Sequence, residues 1–133
     1  MKTLIVEDDF YGRLLLQEFL RPYGESHVAV NGKEAVEAYT RSLEEGCPYD
    51  LICMDIMMPE MDGQTALIEI HNVENAYELP IEKRVKVVMT TALSDMKNVS
   101  RAYQNLCDGY LAKPFLRAKL VETLRNLQLI SEG

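Results

Sequence analysis

No C-x-x-C pair occurs in this chain, and its three cysteines, Cys47, Cys53 and Cys107, are an odd number. That excludes a zinc ribbon or a dithiol redox motif, and leaves buried, reduced thiols of a cytosolic protein as the expectation. Lys and Arg never form a run, and 14 of them stand against 21 Asp and Glu, for a formal net charge of −7. Such a surface repels phosphate backbones and anionic lipid, so direct binding to nucleic acid is not expected. No unbroken apolar stretch approaches membrane-spanning length. The stretch from Met1 to Val6 turns acidic at Glu7, too early for a signal peptide. Internal repeats and low-complexity tracts are also missing. These absences predict a soluble, cytoplasmic chain without membrane contact.

What is present is alternation. With 133 residues the chain fits one domain, taken as residues 1–130 with 131–133 as a tail. Leu4-Ile5-Val6 reads as a short buried strand, and a helix with Leu15/Phe19 and Leu16/Leu20 at i, i+4 follows it, closed by Pro22 and Gly24. A weaker strand spans 27–30. Asn31 then caps a helix, with Glu34 three residues on as in a capping box, and Ala35, Tyr39 and Leu43 mark its buried face. The stretch 50–55 is apolar on both faces, as the middle of a covered parallel sheet requires. After Pro59 and Gly63 a helix buries Ala66, Leu67, Ile70 and Val73. Residues 74–84 are polar and read as a long loop or a helix extension. A strand over 85–90, a helix carrying Val99, Tyr103 and Leu106, and a short strand over 109–112 come next. The last helix places Leu116, Leu120, Leu124 and Leu127 on one stripe. The sum is five βα units, an α/β open parallel sheet with helices on both faces.

Open α/β sheets place their sites at the carboxyl ends of the strands. Strand 1 ends in Glu7-Asp8-Asp9, strand 3 in Asp55, strand 4 in Thr90-Thr91-Ala92 and strand 5 in Lys113-Pro114. If these strands are neighbours, several carboxylates, a hydroxyl and one ammonium converge. Packed carboxylates repel one another and raise one another's pKa. A hard divalent cation such as Mg²⁺, which prefers oxygen ligands, is the natural counter-charge, with Lys113 a second. Each piece alone is an ordinary turn, cap or boundary; their joint arrival at the right strand ends carries the argument.

Val6-Glu7-Asp8, Met54-Asp55-Ile56-Met57-Met58-Pro59, Met61-Asp62-Gly63, Thr91-Ala92 and Lys113-Pro114-Phe115 together resemble the receiver domain of two-component response regulators, over essentially the whole chain. The resemblance implies a flavodoxin-like (βα)5 three-layer fold with strand order 2-1-3-4-5. It makes Asp55 the phosphoacceptor and Asp8 a direct Mg²⁺ ligand, with Glu7 acting through water and the Met57 backbone carbonyl as a further ligand. Lys113 then contacts the phosphoryl oxygens, Thr91 is the switch hydroxyl and Tyr110 the switch aromatic, and the Lys113–Pro114 bond is cis. Glu7-Asp8-Asp9 offers two acidic pairs; the preceding strand and Arg13 favour Glu7 with Asp8, which leaves Asp9 peripheral. A sensor histidine kinase or a phosphotransfer protein is the implied donor. Output is through the face of the fourth helix, fifth strand and fifth helix, to a protein target or an attached effector domain.

Two segments look long for the family: 31–55, and Asn72 to Arg84. Met57 and Leu93, which flank the site, are apolar and cannot orient a water, so slow self-dephosphorylation is expected. Apart from that self-chemistry, no enzymatic activity is expected. A haloacid-dehalogenase type phosphatase needs a second Asp two residues after the first, where Met57 stands. An inert interaction module would lack an acidic ligand, the phosphoacceptor or the lysine. A flavin carrier would not place acidic groups in its first loop. The methionines around the site are thioethers, unsuited to Mg²⁺, and His27 and His71 have no partner at metal-ligand spacing.

Overall fold

Two strands are buried along their whole length, and they form the centre of the molecule. β1 (Thr3–Val6) and β3 (Leu51–Asp55) expose none of their residues, as expected of apolar runs covered on both faces. In the computed structural model, which describes residues 1–58, 60–92 and 106–131, β2 (Ser26–Ala29), β4 (Lys86–Ala92) and β5 (Gly109–Lys113) complete a parallel sheet in the order β2-β1-β3-β4-β5. Val6 pairs with Met54, Asp55 with Thr90, and Ala92 with Lys113. This register brings the ends of β1, β3, β4 and β5 to one edge of the sheet.

Side chains alternate across a strand, and the two cores follow from that. Leu4, Val6, Ile52, Met54, Val87 and Met89 face α2 (Gly32–Glu44) and α3 (Gly63–Ala76), meeting Ala35, Tyr39, Ala66, Leu67 and Ile70. Ile5, Leu51, Cys53, Val88 and Leu111 face α1 (Phe10–Leu20) and the C-terminal helix Arg117–Asn126, meeting Leu16, Leu20, Leu120 and Leu124. The result is the three-layer α/β sandwich that alternation predicts.

Asn31 caps α2 as expected, its Oδ1 accepting from the Glu34 amide at 2.8 Å, but the Glu34 carboxylate reaches the Val30 amide rather than that of Asn31. That use of Val30 ends β2 one residue before the expected limit. β4 runs two residues further than expected, because Thr91 and Ala92 stay paired with Ala112 and Lys113. Leu116 departs from the expected stripe: it precedes the first helical turn and is 58% exposed. Cys47 is exposed rather than buried, in the loop after α2, whereas Cys53 is buried. The polar stretch 74–84 divides. α3 continues to Ala76, Ile81–Lys83 forms a 3₁₀ turn, and Glu74 is fully buried. The expected helix through Val99 and Tyr103 lies outside the described residues, as do Pro59 and Leu93. No described helix is long and apolar enough to cross a membrane.

Candidate functional site

The site begins with three loops that leave the sheet on one edge. After β1 the chain runs Glu7-Asp8-Asp9 into α1, and Asp9 accepts from the Gly12 amide at 2.8 Å as its N-cap. Asp9 is thereby committed to the helix, and the acidic pair aimed at the site is Glu7 with Asp8. Gly12 packs closely there: a Cβ would meet Glu7 Oε1 at 2.8 Å, so a larger residue would push the Glu7 side chain aside. Arg13 donates to the Glu7 carbonyl at 3.3 Å, which ties the first turn of α1 to the end of β1.

After β3, Asp55 is folded back by its own loop. The Met57 amide donates to Asp55 Oδ1 at 3.1 Å, and the Ile56 amide donates to the Thr90 carbonyl at 3.0 Å. Asp62 caps α3 through the Thr65 amide at 2.8 Å, and the Gly63 amide donates to the Ile56 carbonyl at 2.9 Å. A Cβ at position 63 would run into the Asp55 carbonyl oxygen and the Ile56 backbone. Gly63 is therefore what lets α3 start against the acidic loop, which explains the Asp62-Gly63 pair in physical terms.

From the end of β5, Lys113 reaches across. Its Nζ lies 2.9 Å from Asp55 Oδ2 and 2.7 Å from Glu7 Oε1. The Lys113–Pro114 peptide bond is cis. Carboxylate oxygens of Glu7, Asp8 and Asp55 lie within 4.8 Å of one another, with Glu7 and Asp55 buried and Asp8 exposed. One ammonium thus serves two buried carboxylates. Burial first, and then hydrogen bonding to Asp55, push the Glu7 carboxyl up to about 8, against the opposing pull of Lys113. Burial draws the Lys113 ammonium down, but Glu7 and Asp55 outweigh it and its net shift is upward.

This donor set fits a hard divalent cation. It consists of oxygens alone, and the three acidic groups Glu7, Asp8 and Asp55 outnumber the Lys113 ammonium that faces them. An exposed carboxylate beside two buried ones leaves an open side for water and an incoming anion.

Thr91 is buried at the end of β4, and its hydroxyl donates weakly, at 3.4 Å, to the Ala92 carbonyl. Tyr110 on β5 is packed inward, its hydroxyl buried near Cys107 and its ring against the α2/α3 core. Met57 is 68% exposed at the mouth of the site. All the expected site positions among the described residues therefore lie at the same sheet edge or on the strands leading to it. Gly12 was not anticipated. The Glu7 side chain beneath it leaves little room for a Cβ, and no pattern in the sequence signals that.

A model of the response regulator receiver domain matches residues 3–125. The chain belongs to the response regulator receiver family. The chemotaxis protein CheY of Bacillus subtilis is 34% identical over 127 residues, covering 94% of this chain and 95% of CheY. Among solved structures, the receiver domain of the sensor histidine kinase PA1611 from Pseudomonas aeruginosa, with magnesium coordinated in its active-site cleft, is 31% identical. It has a TM-score of 0.75 and covers 93% of this chain and 94% of that one. The Ssk1 receiver domain of Saccharomyces cerevisiae, solved with the histidine phosphotransfer protein Ypd1, belongs to a match of 27% identity and TM-score 0.76, covering 99% of this chain and 93% of that one. The receiver fold and a place in two-component signalling follow for this chain.

Proposed function

We propose that this receiver accepts a phosphoryl group on Asp55 from a histidine kinase or a histidine phosphotransfer protein in the cytoplasm, and that the modified form signals through protein contacts. The observation that carries the reading is the meeting of Asp55 with Lys113, Glu7 and Asp8 at one sheet edge. A carboxylate oxygen of Asp55 attacks the phosphorus of the donor's phosphoimidazole. The P–N bond breaks, the electron pair leaves with the imidazole nitrogen, and an acyl phosphate forms. Such transfers depend on positioning and charge neutralisation more than on covalent help. Lys113 holds the acceptor and neutralises one phosphoryl oxygen. Asp8, Asp55 and the Met57 carbonyl, with Glu7 through water, would hold Mg²⁺, which would supply the remaining positive charge.

The loosely bonded Thr91 hydroxyl is free to turn toward a new phosphoryl oxygen, and Tyr110 reports that turn on β5. Beside Tyr110, a cavity of about 360 Å³ between β5 and the C-terminal helix, lined by Ala112, Leu116, Lys119 and Thr123, supports output on this side. The exposed thioether of Met57 cannot orient an attacking water, which supports slow self-dephosphorylation. Met57→Asn combined with Leu93→Glu should shorten the phosphoryl lifetime severalfold, read by loss of the phosphorylated mass with time; an unchanged lifetime would refute that assignment. The function itself is tested by incubation with a small phosphodonor and Mg²⁺, followed by intact mass. Wild type should gain one phosphoryl group, and Asp55→Asn or added chelator should abolish the gain. Equal labelling of the variant would refute the reading.

A further inference from the structure

Away from the phosphorylation edge, one buried ionisable group has no part in the proposed chemistry. Glu74 on α3 is fully buried. Its Oε2 accepts from the Tyr39 hydroxyl of α2 at 2.8 Å and from the Val85 amide, just before β4, at 2.9 Å. Its Oε1 faces His71 Nδ1 at 3.2 Å, and His71 Nε2 lies 2.7 Å from the Leu106 carbonyl. A carboxylate and a carbonyl can only accept, so both His71 contacts require an N–H, and only the imidazolium carries two.

We propose that His71 is a proton-operated latch: as the imidazolium it fastens the Leu106–Asp108 segment, which leads into β5, to α3. Among the described residues, the titratable groups around it are Glu74 on its own helix, Tyr39 of α2 behind Glu74, and Cys107 and Asp108 on the latched segment. On the β4 side, Lys86 lies 4.0 Å from Asp108, and Arg84 is taken up by Asn75 and the Leu79 carbonyl. The hydrogen bond to Glu74 first, against burial, and then the Leu106 carbonyl and the charges of Glu74 and Asp108, hold the His71 imidazolium above its ordinary range. On deprotonation one ring nitrogen presents a lone pair to an acceptor, and one of the two bonds is lost. Tyr110 lies four residues beyond Leu106, so the latch sets how firmly the strand carrying it is anchored.

The test is an NMR titration of the unmodified full chain, following the His71 ring and the backbone amides of 107–110, with hydrogen exchange at the same sites. The His71 ring should titrate above the ordinary histidine value near 6.5. The 107–110 amides should shift with the same midpoint and exchange at least severalfold faster on its alkaline side. In His71→Gln that pH-dependent step should vanish. A His71 midpoint at or below the ordinary value, a ring that stays neutral while Glu74 holds the proton, or amides that do not follow the ring would each overturn the latch. The wild-type titration decides the matter even if the variant fails to fold.

Discussion

At Glu7, burial governs the chemistry. Its carboxyl is raised from 4.5 to about 8, so the fold favours the protonated form. The stability this contributes is complete below pH 4.5 and is lost as pH rises through about 8. Chelator-treated protein should therefore lose stability across that window, and Glu7→Gln should flatten the slope while weakening Mg²⁺ by about 10–100-fold, as loss of an outer-shell partner does. Denaturation midpoints against pH and a calorimetric Mg²⁺ titration read the two effects; a Glu7→Gln slope equal to that of wild type would remove Glu7 as its source. The placement of Asp8, Asp55, Thr91 and Lys113 at the sheet edge is legible in the sequence because each stands where an apolar run ends. Glu74 is not. It sits at the start of a polar stretch, and only the packing of Tyr39 and Val85 around it reveals a buried acceptor.

Among the elements, α3 joins the two ends of the molecule. Its N-terminus is fitted against Asp55 through Gly63, and its last turn carries the Glu74 network. Tyr39→Phe would remove one donor from a buried carboxylate and should cost about 1–3 kcal/mol, measured by denaturant unfolding, with Mg²⁺ affinity unchanged because the site lies elsewhere. A loss of affinity alongside stability would instead tie the network to the acidic edge. The cap of α2 was readable from Asn31, since capping is local chemistry, whereas Glu34 turns to the Val30 amide instead of closing the expected box. Strand limits were less so: β4 extends to Ala92 because β5 offers it partners, and pairing is decided by a distant segment. The stripe through Leu116 failed for a related reason. The helix begins after it, and a period-of-four pattern does not show its own first turn.

For the whole molecule, the five strands and the four described helices were legible from hydrophobic pattern alone, but strand order is a property of the crossovers and came only with the family resemblance. That order brings the site together, because β1 flanks β3 on one side and β4 with β5 follow on the other, so that Glu7, Asp55 and Lys113 meet at one edge. The net charge of −7 sharpens the same point: an acidic molecule concentrates three of its acidic groups, Glu7, Asp8 and Asp55, at one edge. The most direct measurement is to phosphorylate the chain with a small phosphodonor, reduce the acyl phosphate with borohydride and locate the resulting homoserine by peptide mass. The account predicts homoserine at position 55 and nowhere else. Homoserine at Asp8 or Asp9, or none at all despite a phosphorylated intact mass, would contradict it.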